Sequence, residues 1–208
     1  MATLRADPDP DASQWQHLFP TLRDWDASQC QHLVPSLRSR WELTKLVRPK
    51  GVGVELGVAN GVFSELILRS SALDYLYSID SYSDRKHTVS QYKTALARLA
   101  PYRARNSILR MRFEEALPLF PDRYFDFIYV DGFAATGEEG GSTFYDWWPK
   151  LRTGGVFAGH DYSPDWPLVV KAANRFTDEI GVPLRIVGGQ DDPVDTQNRY
   201  ASWYTIRR

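Results

Sequence analysis

The chain has a single cysteine, Cys30, among 208 residues, so no disulfide can form within it and a reducing, cytoplasmic setting is expected. No apolar run exceeds the length of a strand, and no membrane-spanning helix is expected. The opening stretch, Met1 to Pro10 with its Asp-Pro-Asp-Pro, lacks the apolar core of a secretion signal. Charge of either sign is also lacking in excess. Lys and Arg number 25 against 26 Asp and Glu, a formal charge of −1, so there is no global basic field to hold a nucleic-acid backbone. Nucleic acid and membrane are therefore not expected as partners. The G-x-G-x-x-G turn of dinucleotide binders is missing as well. What is plentiful is apolar and aromatic side chains: 43% of residues are apolar, with 7 Trp and 11 Tyr, enough for one full core.

Two regions are expected. Residues 1–40 carry a duplication, in which Asp11-Ala-Ser-Gln-Trp-Gln-His-Leu-Phe-Pro-Thr-Leu-Arg23 is followed by Asp26-Ala-Ser-Gln-Cys-Gln-His-Leu-Val-Pro-Ser-Leu-Arg38. Each copy opens on an Asp able to cap a helix and contains a Pro that stops one. Two copies are too few for a solenoid, so a surface appendage of two helical turns is the simplest reading. An oligomer arm or a lid over a site is the functional one. From residue 41 to 208 strand and helix signals alternate. Strands are expected at Val52–Leu56, Tyr75–Ile79, Ile108–Met111, Phe125–Val130, Val156–Gly159, Leu184–Val187 and Ala201–Ile206, with helical periodicity between most of them. This order predicts an α/β fold with a doubly wound, mostly parallel seven-stranded sheet. The last two strands have no helix between them, which predicts an antiparallel edge.

The first strand runs into Glu55-Leu-Gly57-Val-Ala-Asn-Gly61, a tight turn opening a helix. In an open α/β sheet ligands collect at the carboxyl ends of the strands. There the chain carries Glu55, Asp80, Asp131, His160 and Asp161. Asp80 closes the second strand, 25 residues after Glu55, where an acid accepts ribose hydroxyls.

Glu55-x-Gly57-x-x-x-Gly61 resembles the first motif of class I S-adenosylmethionine (SAM)-dependent methyltransferases. Phe125 to Gly132, Asp146 to Tyr162 and Trp166 to Ala173 resemble one branch of that class, which ends its fourth strand in D-x-x-H and its fifth in G-H-D-Y. The resemblance covers about residues 45 to 208. It implies a Rossmann-like methyltransferase fold and SAM as cofactor. It also implies cofactor contacts from Glu55, Gly57, Val58, Asn60, Gly61, Phe63, Asp80, Ser81, Arg112, Phe113, Asp131 and Gly132. The acceptor expected is a small hydroxylated molecule, whose hydroxyl must lose a proton. A base or a divalent cation such as Mg²⁺ can help, and Asp131, His160 and Asp161 are the candidates for either role. One departure stands out: the branch's His is Ala134 here. A protein that binds SAM without turnover is therefore an alternative reading, and a nicotinamide-dependent oxidoreductase a weaker one. Glu138 and Glu139, in the glycine-rich loop after the fourth strand, are expected on the solvated surface.

Overall fold

The computed structural model describes residues 37–85, 87–189, 193–195 and 199–208. The duplicated segment lies outside the described residues. A 3-10 helix (Arg40–Leu46) leads into the first strand, capped by Ser39 with Glu42 reaching back. Seven strands follow: β1 (Val52–Leu56), β2 (Tyr75–Asp80), β3 (Asn106–Arg110), β4 (Phe125–Val130), β5 (Leu151–Gly159), β6 (Arg185–Gly188) and β7 (Ala201–Ile206). They form one sheet in the order β3-β2-β1-β4-β5-β7-β6. β3, β2, β1, β4 and β5 are parallel; β7 is antiparallel to β5 and β6. The expected architecture, including its antiparallel last strand, is the observed one.

The helices are α1 (Val62–Ser70), α2 (Val89–Leu99), α3 (Phe113–Ala116), α5 (Ser142–Trp147) and α6 (Pro167–Glu179), with a left-handed turn, α4 (Gly137–Gly140), after β4. The sheet is buried on both faces. β4, Phe-Asp-Phe-Ile-Tyr-Val, has no exposed residue and sends Phe125, Ile128 and Val130 to one cluster, Phe127 and Tyr129 to the other. This is the near-continuous apolar reading of a parallel central strand. Its one charge, Asp126, accepts from the Val52 N–H at 2.8 Å and from Arg48 Nε at 2.6 Å. Arg48 therefore helps tie the entry of β1 to β4. β5 starts five residues earlier than the sequence predicts. Thr153-Gly154-Gly155 is a bulge inside the strand, where pairing jumps from Phe125↔Leu151 to Phe127↔Val156. No helix among the described residues is long and apolar enough to cross a membrane.

Candidate active site

The strand order reverses between β1 and β4, and a crevice of about 260 Å³ opens at their carboxyl ends. Gly57, Asp80, Ser81, Ser83, Asp84, His87, Arg112, Phe113, Gly132 and Phe133 line it. Two glycines are fixed by close approach. A Cβ on Gly57 (φ 95°) would lie 1.9 Å from the Asp131 carbonyl oxygen, and one on Gly132 would lie 2.5 Å from the Phe113 ring. A second, more open depression of about 400 Å³ lies between Leu117–Pro118 and Pro149–Lys150. It sits at the amino ends of β4 and β5 and holds none of the expected site residues.

Asp80 is the clamp of the crevice. Its Oδ2 accepts from the N–H groups of Val58 (2.9 Å) and Ala59 (3.0 Å), and its Oδ1 from that of Tyr82 (3.0 Å). Ala59 (φ 46°) and Tyr82 (φ 49°) are both left-handed, so one carboxylate holds two strained turns together. With two lone pairs per oxygen, Oδ2 is fully used and Oδ1 retains one acceptor site. The sequence pattern predicted an acid open to ribose; the structure has most of that acid's capacity turned to the glycine turn.

Of the other residues expected to touch the cofactor, Gly57, Ser81, Arg112, Phe113 and Gly132 line the crevice, while Glu55, Val58, Asn60, Gly61, Phe63 and Asp131 do not. Glu55 is 1% exposed and bonded to the Ser64 hydroxyl. Burial dominates and pushes its carboxyl up to about 8, against the Ser64 bond. Asn60 offers its carbonyl to Arg98 Nε at 3.0 Å, and Gly61 caps α1 in a left-handed conformation. The Phe63 ring packs on Tyr129, 4.5 Å between centroids, beneath the Arg40 guanidinium at 4.1 Å.

Asp131, His160 and Asp161 meet at the ends of β4 and β5. His160 Nδ1 lies 3.3 Å from an oxygen of each carboxylate. A hydrogen on Nδ1 faces both acids. Burial works to raise the pKa of Asp131, but His160 and then Arg40 outweigh it and hold the carboxyl below its ordinary value. Burial wins at Asp161 and raises it, against His160 and with the Asp131 charge. Asp161 is also left-handed (φ 57°), a strained backbone of the kind that clusters at working sites.

Arg40 is the participant that the sequence pattern did not reveal. It is 1% exposed and reaches Asp195 (Nε to Oδ2, 2.7 Å) and Asp131 (Nη1 to Oδ2, 3.2 Å). Burial opposes its charge, and Tyr129, Asp131 and Asp195 overcome that, so it stays protonated. Arg40 decides how well the trio suits a cation. One ligand atom from each of Asp131, His160 and Asp161 lies within 4.8 Å of the others, a spacing a divalent ion could bridge. A buried guanidinium already neutralises part of Asp131, however. His160 Nε2 is also buried and finds no partner among the described residues, whereas a metal-bound histidine donates its second N–H to an acceptor. With these two features the trio is a poor fit to a metal centre.

Glu138 corrects an expectation. It is 4% exposed, not solvated. Oε1 accepts from the N–H groups of Gly132 (3.2 Å) and Phe133 (3.0 Å), and Oε2 from that of Phe133 (3.0 Å). Burial pushes its carboxyl up to about 8, aided by Asp131 and Asp161 and opposed by those N–H groups.

A family model described as "Methyltransferase domain" matches residues 54–162, just over half of the chain, from within β1 to just past His160-Asp161. The chain belongs to this methyltransferase family. SAM as the methyl donor follows from membership. No curated protein matches the chain in sequence. Solved structures agree in fold. A precorrin-6y methyltransferase from Geobacter metallireducens is 12% identical, with 80% of this chain and 86% of that one covered at a TM-score of 0.59. An O-methyltransferase from Bacillus cereus, in complex with S-adenosylhomocysteine (SAH), is 13% identical, with 94% and 97% covered at 0.57. A SAM-dependent O-methyltransferase from Thermotoga maritima is 12% identical, with 95% and 71% covered at 0.58. At these identities the likeness shows the methyltransferase fold alone.

Proposed function

We propose that this methyltransferase transfers the methyl group of SAM to the hydroxyl of a small acceptor. The observation that carries the reading is the Asp131–His160–Asp161 cluster beside a crevice whose turn, clamp and aromatic wall suit an adenosyl group. The crevice would hold the adenosyl moiety between the glycine turn, Asp80 and Phe113. Ser81 and the remaining acceptor site on Asp80 Oδ1 face the ribose. Two of the fold neighbours are O-methyltransferases, which supports oxygen as the acceptor atom.

SAM supplies an activated methyl group, which the acceptor oxygen displaces in line while the carbon–sulfur bond breaks. The protein's task is alignment and removal of one proton. A phenol with a pKa near 10 keeps its proton at neutral pH, so a nearby base lowers the barrier. Asp161 would take the proton, with His160 Nδ1 set between it and Asp131. Asp131, held by Arg40, keeps its place. Ala134 offers no base on this rim, and Asp161, backed by Asp131, would take over that task.

The test is SAH formation in a screen of phenols, sugars and hydroxy acids, with Asp161→Asn and Asp131→Asn alongside. Each variant should lower kcat at least tenfold with SAH affinity within about threefold. Turnover unaffected by both substitutions would sink the acid assignment. SAM binding with no turnover on any hydroxylated acceptor would favour a protein that holds SAM without using it. A second reading, in which a divalent ion bridges the cluster, rests on the 4.8 Å grouping of the three ligand atoms. Loss of activity in chelator, restored by Mg²⁺, would establish it.

A further inference from the structure

The loop after β4 contains a run of five left-handed residues: Gly137 (φ 65°), Glu138 (φ 56°), Glu139 (φ 56°), Gly140 (φ 65°) and Gly141 (φ 91°). A left-handed turn costs a non-glycine residue about 1–2 kcal/mol, so Glu138 and Glu139 persist there only because surrounding contacts fix them. The glycines are placed for contact as well as conformation. A Cβ on Gly137 would lie 2.6 Å from the Leu168 carbonyl oxygen, and one on Gly141 would meet Ala172 at 3.4 Å, both on α6. Arg175, also on α6, donates to the Gly140 carbonyl. The turn is thus seated on α6, and its handedness sends the Glu138 side chain inward toward the end of β4.

There the carboxyl group meets the main-chain N–H groups of Gly132 and Phe133 and no basic side chain. The charged groups nearest in effect are Asp131 and Asp161. Phe133 is the residue this contact fixes. Its ring lies 5.3 Å from that of Phe113, and both rings line the crevice. Gly132, the other anchored residue, lines it too.

We propose that Glu138 is a positioning residue for the cofactor: carried inward by the left-handed turn, it pins Gly132 and Phe133 and so sets the Phe133–Phe113 pair as one wall of the adenosyl crevice. The assignment rests on the crevice reading given above. It explains an acid that the proton transfer does not use, and strain that the fold alone does not need. A neutral carboxyl suits the role, because its carbonyl oxygen can accept both N–H bonds while the hydroxyl stays idle. A glutamine can do the same.

Calorimetric SAH binding to the full chain tests this with five proteins: wild type, Glu138→Gln, Glu138→Gly, Phe133→Ala and the double variant combining the last two. Glycine is chosen because it deletes the carboxyl group while relieving the left-handed strain, which favours a folded variant. Glu138→Gln should bind within threefold of wild type. Glu138→Gly and Phe133→Ala should each bind at least fivefold more weakly, and the double variant should be no worse than the weaker single one, the non-additivity of a shared wall. A purely structural acid would lower the melting temperature without that coupling. Wild-type binding with Glu138→Gly within twofold of it overturns the assignment and leaves the crevice standing. Should Glu138→Gly fail to fold, Phe133→Ala alone decides, since Phe133 is 37% exposed and its truncation is tolerable: unchanged affinity refutes the wall. A wild type that binds no SAH ends the crevice reading and this assignment together.

Discussion

Removing the Asp80 carboxylate should unlock the crevice before it weakens any ligand. Three main-chain N–H groups depend on it, at 2.9, 3.0 and 3.0 Å. Each donor left without a partner costs about 1–3 kcal/mol, and water entering from the crevice keeps the total near the lower end. Two left-handed residues, Ala59 and Tyr82, lose their restraint in the same step. Asp80→Ala should therefore cost about 3 kcal/mol or more in urea denaturation, and for a domain of this size lower the melting temperature by about 6–12 °C. Asp80→Asn should cost less. Its amide oxygen can serve Val58 and Ala59, but its NH₂ group then faces the Tyr82 N–H, donor to donor. The order wild type, Asn, Ala should appear in stability as well as in SAH affinity, where Asp80→Ala loses about tenfold or more because a charged acceptor is gone. An Asp80→Ala protein with an unchanged urea midpoint would refute the clamp. If affinity also stayed unchanged, Asp80 would leave the site altogether.

Glu55, pushed up to about 8 against an ordinary value of 4.5, binds its proton more tightly folded than unfolded. Stability should accordingly fall as pH rises from about 4.5 to about 8, and Glu55→Gln should flatten that decline in melting-temperature scans; parallel curves would contradict it. Glu138, shifted the same way, leaves a residual slope in that variant. Gly57→Ala places a Cβ 1.9 Å from the Asp131 carbonyl oxygen, so soluble expression should collapse; a folded variant with native circular dichroism would show that β1 and β4 can separate there. Arg40→Met leaves Asp195, whose side chain is 0% exposed, without its guanidinium and should cost about 3–5 kcal/mol in urea; a loss below about 1 kcal/mol would mean that the pair is dispensable.

Periodicity made the fold legible. Alternation of element types, the fully buried β4 and the helix-free β6–β7 connection lead directly to the seven-stranded, mostly parallel sheet and the antiparallel β7. Strand ends were harder, because pattern cannot separate a glycine bulge from a glycine turn: Thr153-Gly154-Gly155 reads as the second and is the first. At the rim, residue types at strand ends locate Asp80, Asp131, His160 and Asp161, since topology alone brings those ends together. How each acid is occupied depends on neighbours remote in sequence. Nothing local marks Arg40, whose partners lie 91 and 155 positions away. Glu138 was hidden for another reason. Gly-Glu-Glu-Gly-Gly reads as a soluble loop in any right-handed conformation, and only the reversed handedness turns its first acid inside.

The long span bridged by Arg40 also bears on how the protein comes into being. A chain emerging from the ribosome delivers Arg40 first and Asp195 155 residues later. Until then burying the guanidinium costs more, since of its two acidic partners its seat holds only Asp131. The rim is consequently completed only once Asp195 has emerged. Nascent chains truncated ahead of Asp195 should have an open, incomplete rim even where the parallel strands have already paired.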